Sequence, residues 1–128
     1  MLPLPPTKRQ VADWARLTQK KFRKESGLFL IEGEVCVREA LRSGIKLEAL
    51  LLLASEAETR QDEFGELKRT PLYAVNTDAY RRISSVETSQ GIVAIAKQFE
   101  LKPRLTGFAI ACEQVSDPGN CGALIRVA

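Results

Sequence analysis

The sequence predicts an α/β layered domain, and three observations carry that reading. Short apolar runs rich in leucine, valine and isoleucine alternate with stretches of helical periodicity. The chain has 128 residues, and one domain commonly takes roughly 100–200. The alternation is interrupted once, by charge and a proline. Residues 1–100 therefore read as one complete domain, 101–106 as a linker, and 107–128 as the start of a second.

After a proline-rich start, Val11, Trp14 and Ala15 recur at helical spacing, so 8–22 reads as an amphipathic helix with a basic outer face. "ESG" breaks it, and "LFLI" (28–31) reads as a short buried strand. Over 34–43, Cys36, Val37, Ala40 and Leu41 share one side, which predicts a helix stopped by Gly44. "KLEALLLL" (46–53) suits a strand, followed by a helix over 55–68 and a strand at "PLYAV" (71–75). "TDAYRRI" (77–83) reads as a short helix with Thr77 as its cap. "GIVAIAKQF" (91–99) is the next strand, rich in β-branched residues. Past the linker, "GFAIACEQV" (107–115) reads as a fully apolar strand of the buried parallel kind.

Composition bounds the function classes. Hydrophobic residues at 45% and charged residues at 27% suit an ordinary globular protein. No apolar run approaches the ~20 residues of a membrane span, so no membrane partner is expected. "MLPLPPTKRQ" places prolines where a signal peptide needs an apolar helix, which argues against export. Cys36, Cys112 and Cys121 form neither an even set nor a CxxC pair, and are expected as buried small hydrophobes. The chain has no histidine, which argues against a metal site and excludes a Ser-His or Cys-His nucleophile. A reducing, cytoplasmic compartment is expected.

Net charge is +3, but its distribution says more. Residues 8–24 hold seven Lys/Arg, Lys20, Lys21, Arg23 and Lys24 among them, against one acid, Asp13. Such a stripe can neutralise phosphates, the main source of nucleic-acid affinity. A solvated helix face is the alternative.

The closing stretch, "SDPGNCGALIRVA" (116–128), concentrates the candidate chemistry. Asp117-Pro118-Gly119-Asn120 has type II turn character, with proline fixing φ at the second position and glycine supplying positive φ at the third. Asn120 would then cap the following helix. Gly122 and Arg126 are four apart and share a helix face, while Leu124, Ile125 and Ala128 would point to a core. A plain strand–turn–helix connection with an incidental arginine is the alternative. Neither a P-loop nor a dinucleotide-binding glycine pattern is present.

"VSDPGNCGALIRVA" resembles the first signature of the SpoU (TrmH-type) RNA 2′-O-ribose methyltransferases of the SPOUT superfamily, with Asn120, Gly122 and Arg126 at its positions. "GLFLIEGEVCVREAL" (27–41) and "SSVETSQGIVAIAK" (84–97) are similar to that family's amino-terminal substrate-binding domain. The resemblance implies a layered α/β/α domain akin to ribosomal RNA-binding proteins, then the first strand and helix start of a SPOUT methyltransferase domain. It implies methyl transfer from S-adenosylmethionine to a ribose 2′-hydroxyl, ribosomal RNA more than transfer RNA as partner, and a homodimer. Asn120 and Arg126 would be the catalytic residues, and Asp117, Pro118, Gly119 and Gly122 the structural turn. A free guanidinium holds its proton too tightly to be a good base, so Arg126 would stabilise the developing alkoxide or hold the adjacent phosphate.

The family's knot-forming motifs have no match here. The chain is therefore expected to be the front part of a longer enzyme, inactive alone and without bound S-adenosylmethionine. A non-catalytic RNA-binding module is the competing reading. Glu32-Gly33, at a strand-to-helix junction, would be an RNA-contacting turn or a plain connection. Gln90-Gly91 reads as structural rather than functional, and Trp14 as core, with stacking on a base as its alternative.

Overall fold

The structure of the chain, a computed structural model, describes residues 2–64, 70–85, 90–102 and 107–128. Thr7 opens α1 (Lys8–Ala15) with a capping box: its hydroxyl accepts from the Gln10 amide, and the Gln10 side chain accepts from the Thr7 amide. The helix predicted over 8–22 then breaks. A 3-10 turn (Arg16–Thr18) leads through extended Gln19 into α2 (Lys20–Ser26), which Gly27 ends at φ +68°. The break is held locally. The Arg23 guanidinium donates to the carbonyls of Leu17 (2.9 Å) and Thr18 (2.8 Å), acceptors that the interrupted helix leaves open.

β1 (Leu28–Glu32) is half-buried rather than buried, because it forms an edge of the sheet. In α3 (Glu34–Arg42), Val37 and Ala40 face inward. Cys36 is exposed, since it stands about 100° round the helix from Val37. Cys112 and Cys121 are also exposed, against the expectation of buried thiols. β2 (Leu47–Leu53) runs into α4 (Ala54–Arg60), shorter than the predicted 55–68. A 3-10 turn (Gln61–Phe64) follows and sends Phe64 into the core; 65–69 lie outside the described residues. After β3 (Leu72–Val75) comes α5 (Thr77–Ile83), capped by Asn76 rather than Thr77. Asn76 has the extended backbone a cap requires, and its Oδ1 accepts from the Ala79 amide at 2.8 Å. β4 (Ile92–Lys97) completes the sheet.

The strand order is β1-β4-β2-β3, with β4 antiparallel to both neighbours and β2 parallel to β3. Strand alternation divides the core between two faces. Ala49, Leu51, Val93 and Ile95 meet Val11, Trp14, Leu17, Tyr80 and Ile83 from α1, its 3-10 extension and α5. On the other side Leu50, Leu52, Ile92 and Ala94 meet Val37, Ala57 and Phe64 from α3, α4 and the second 3-10 turn. The domain is thus an α/β/α sandwich, as predicted, and Trp14 is core, its ring edge-on to Tyr73 at 5.1 Å.

Residues 107–115 do not form the predicted strand. They pair with none of the four strands, and Phe108 is 91% exposed. An apolar run becomes a strand only where a neighbour supplies its hydrogen bonds. α6 (Pro118–Val127) follows. Of the predicted linker, 103–106 lie outside the described residues. Among the described residues, no helix is long and apolar enough to cross a membrane.

Candidate functional site

The closing motif is built as a capped helix, not a type II turn. Asp117 is the cap: its carboxylate accepts from the Asn120 amide at 2.7 Å. Pro118 takes the first helical position, where its missing N–H costs nothing. Gly119 does not adopt positive φ. A Cβ there would lie 3.0 Å from the Asp117 Oδ1, so glycine leaves room for the capping carboxylate. Asn120 therefore sits in the first turn as an exposed residue, not as the cap.

Gly122 and Arg126 share one helix face, and nothing beyond the helix's own neighbouring backbone lies within 4 Å of where a Gly122 Cβ would stand. Arg126 is 71% exposed, with its guanidinium 4.0 Å from the Glu39 carboxylate of α3. Leu124 and Ile125, expected to face a core, are exposed, and Ala128 is exposed as well. With Ile110, Val115 and Cys121 they border an open cleft of about 490 Å³.

The basic stripe is less uniform than its sequence. Arg23 is occupied by the Leu17 and Thr18 carbonyls and works as a clasp. Arg16 lies 3.7 Å over the Phe22 ring. Lys21 reaches Glu25 only at 3.9 Å, an exposed pair worth little in water. Lys20 and Lys24 are exposed.

At the sheet edge, Glu32 and Gly33 are held by their own fold. The Glu32 carboxylate accepts from the Ser84 hydroxyl (2.7 Å), the Ser85 amide (3.0 Å) and the Ser85 hydroxyl. Gly33, at φ +88°, donates its amide to the Ile92 carbonyl. The Gln90 side chain fills the space beside it, and its Oε1 accepts from the Glu34 amide at the start of α3. Gln90 thus supplies α3 with the cap that Gly33 lacks.

Sequence reasoning missed two features. On the α3–α4 face, Arg60 bridges Glu34, Glu56 and Glu63, while Arg38 bridges Glu34 and Glu63. Burial works to raise the Glu34 pKa, but hydrogen bonds from Arg60 and Arg38 outweigh it and hold the carboxyl below its usual value of 4.5. Burial likewise works against the Arg60 charge, and the Glu34 and Glu63 carboxylates raise its pKa despite it. The second feature is the pair Arg81 and Arg82, exposed on α5, which packs beside α1. Their signal was the "RR" within 77–83; its meaning depends on where α5 docks.

The fold is found again in solved RNA methyltransferases. A crystal structure of an RNA 2′-O ribose methyltransferase superposes with TM-score 0.70 at 24% identity, covering 98% of this chain and 50% of that one. An AdoMet-bound rRNA methyltransferase from Sinorhizobium meliloti gives TM-score 0.58 at 28% identity, covering 75% and 36%. Residues 8–94 match the family model of the MRM3-like substrate binding domain, and the chain belongs to that family. Its sequence is 37% identical over 121 residues to the 23S rRNA (guanosine(2553)-2′-O)-methyltransferase RlmP of Bacillus subtilis (strain 168). The resemblance to SpoU (TrmH-type) methyltransferases read from the sequence is borne out. The match covers 93% of this chain but 46% of that relative, so the chain spans less than half its length.

The cleft beside α6 does not fit the methyl donor. The donor's adenine, ribose and sulfonium call for polar partners, whereas the cleft is lined by apolar groups with Gln114 as its amide.

Proposed function

We propose that this chain is the substrate-gripping front part of an S-adenosylmethionine-dependent RNA 2′-O-ribose methyltransferase acting on ribosomal RNA. The carrying observation is a juxtaposition within one chain. A substrate-binding domain of the family leads into a helix that presents Gly122 and Arg126 on one open face. A guanidinium offers a fork of donors and no acceptor, so the role of Arg126 is to hold a phosphate or neutralise a developing alkoxide beside the ribose. Asn120, in the first turn of the same helix, shapes the site. These 128 residues bind RNA but neither hold the methyl donor nor transfer a methyl group. A homodimer working in the cytoplasm belongs to the same reading, and three free, exposed thiols accord with a reducing compartment.

One observation favours a second reading, a non-catalytic RNA-binding module: the sandwich closes its own core without residues 107–128. Arg126→Lys separates the two, tested in the longest protein the gene encodes. Single-turnover methyl transfer to 23S rRNA should fall about 10²–10³-fold, the usual cost of one charge-stabilising donor, with RNA affinity little changed. A rate loss under about tenfold, short of that range, removes Arg126 from catalysis. Absence of methyl transfer by the unaltered protein leaves the binding module.

A further inference from the structure

The two helical layers differ in charge and in how that charge is used. Over α1, its 3-10 extension, α2 and α5 there are nine Lys/Arg against three Asp/Glu. Over α3, α4 and the second 3-10 turn there are three Arg against six Asp/Glu. On that acid-rich side Arg38 and Arg60 are held in ion pairs. On the basic side, no carboxylate among the described residues lies within 4.0 Å of Lys8, Lys20, Lys24, Arg81 or Arg82. Asp13 and Glu25 reach Arg9 and Lys21 only at 3.9 Å.

A cleft of about 680 Å³ opens on this basic side, between the Pro5–Lys8 segment and α5. Lys8 and Arg82 both line it, with Asn76 and the floor residues Ala54 and Ala74. Its one carboxylate, Asp78, stands in the first turn of α5, where the helix N-terminus offsets part of its charge. A volume in the ~300–1,000 Å³ range suits a nucleotide. The sheet edge offers less: Glu32 is an anion committed to Ser84 and Ser85, and the Gly33 amide is already bonded.

We propose that the α1–α2–α5 face grips the RNA backbone, with the Lys8–Arg82 cleft as its phosphate subsite, while Glu32 and Gly33 serve the scaffold. This rests on the RNA-binding reading above and assigns it a surface. Arg81 and Arg82 extend the stripe of 8–24 into a two-element footprint. Neighbouring cations without carboxylate partners release the counterions of the phosphates they meet.

The test compares two charge-matched pairs, one on α5 and one at the end of α3 and the loop after it: Arg81→Gln with Arg82→Gln, and Arg42→Gln with Lys46→Gln. All four side chains are exposed, so both variants should keep the fold, which thermal melting checks. The probe is purified bacterial 23S rRNA, titrated with the 128-residue chain over a salt series. The α5 pair should weaken binding at least fivefold at ~0.1 M salt and reduce the log–log salt slope by about 1.5, at 0.7–0.9 per phosphate contact. The α3-side pair should change affinity less than twofold, and Arg81→Lys with Arg82→Lys should restore it. Equal losses from both pairs overturn the assignment of the face while leaving RNA binding intact. Equal losses for RNA and a DNA duplex of matched length support the backbone grip; loss for neither overturns it. No RNA binding by the unaltered chain at low salt brings down the functional reading itself.

Discussion

The two faces of the sheet bury similar apolar clusters yet treat their arginines in opposite ways. On the α3–α4 face, Arg60 is 16% exposed and spends its guanidinium on Glu34, Glu56 and Glu63. On the α1–α5 face, Arg82 lines a cleft and has no carboxylate in pairing distance among the described residues. Equal formal charge thus does unequal things: one arginine ties two helices together, the other lines an open cleft. A net charge of +3 hides the contrast.

The sharpest way to break the comparison is to remove each arginine in turn. Arg60→Met should cost about 1.5–3 kcal/mol of stability, because it strips charge-assisted hydrogen bonds from part-buried carboxylates. Arg82→Met should stay within about 0.5 kcal/mol, as for most exposed positions. Urea denaturation of both variants measures the difference. Equal losses would mean that Arg82 is structural too.

A second prediction separates charges that hold the fold from charges that meet RNA. Replacing Lys20, Lys21 and Lys24 together with alanine should flatten the salt slope of RNA binding by about two units, with little effect on melting. Arg23→Ala should do the reverse, lowering stability by about 1 kcal/mol through the lost clasp on Leu17 and Thr18. A flat response to the lysine triple would make the stripe a solvated face.

The smallest effect is a pH dependence. Glu34 has a lowered folded-state pKa, so its contribution is present above the unfolded value near 4.5 and is lost as pH falls through the folded value. Stability should therefore drop on acidification below about 4.5. Glu34→Gln should shallow that acid limb. Chemical denaturation across pH 2–7 reads it, and an unchanged limb would place the acid sensitivity on other carboxylates.

Much of the fold was legible because periodicity is local: four strands and the α3 and α5 helices stand close to where apolar spacing put them. Cap identity was harder. Asn76 and Thr77 are both good caps, and only backbone geometry decides that Asn76 is extended while Thr77 is already helical. "DPGN" fits either a type II turn or an Asp-capped, Pro-initiated helix, and the sign of φ at Gly119 chooses the helix. The run at 107–115 has a strand's composition, but a ladder partner is a tertiary fact. So is the basic face: the "RR" of α5 gains meaning only once α5 lies beside α1. The Arg60 network was invisible for the same reason, since Glu34 and Arg60 meet across 26 residues.

Lysine footprinting tests the basic face directly. The chain is acetylated at low stoichiometry with and without 23S rRNA, and each site is quantified by mass spectrometry. Lys8, Lys20 and Lys24 should be modified several-fold more slowly when RNA is bound, while Lys46 and Lys97, which precede β2 and end β4 at the opposite end of the sheet from the Lys8–Arg82 cleft, keep their rates. Protection of Lys46 and Lys97 with Lys8, Lys20 and Lys24 unaffected would contradict the account and move the RNA to the other end of the sheet.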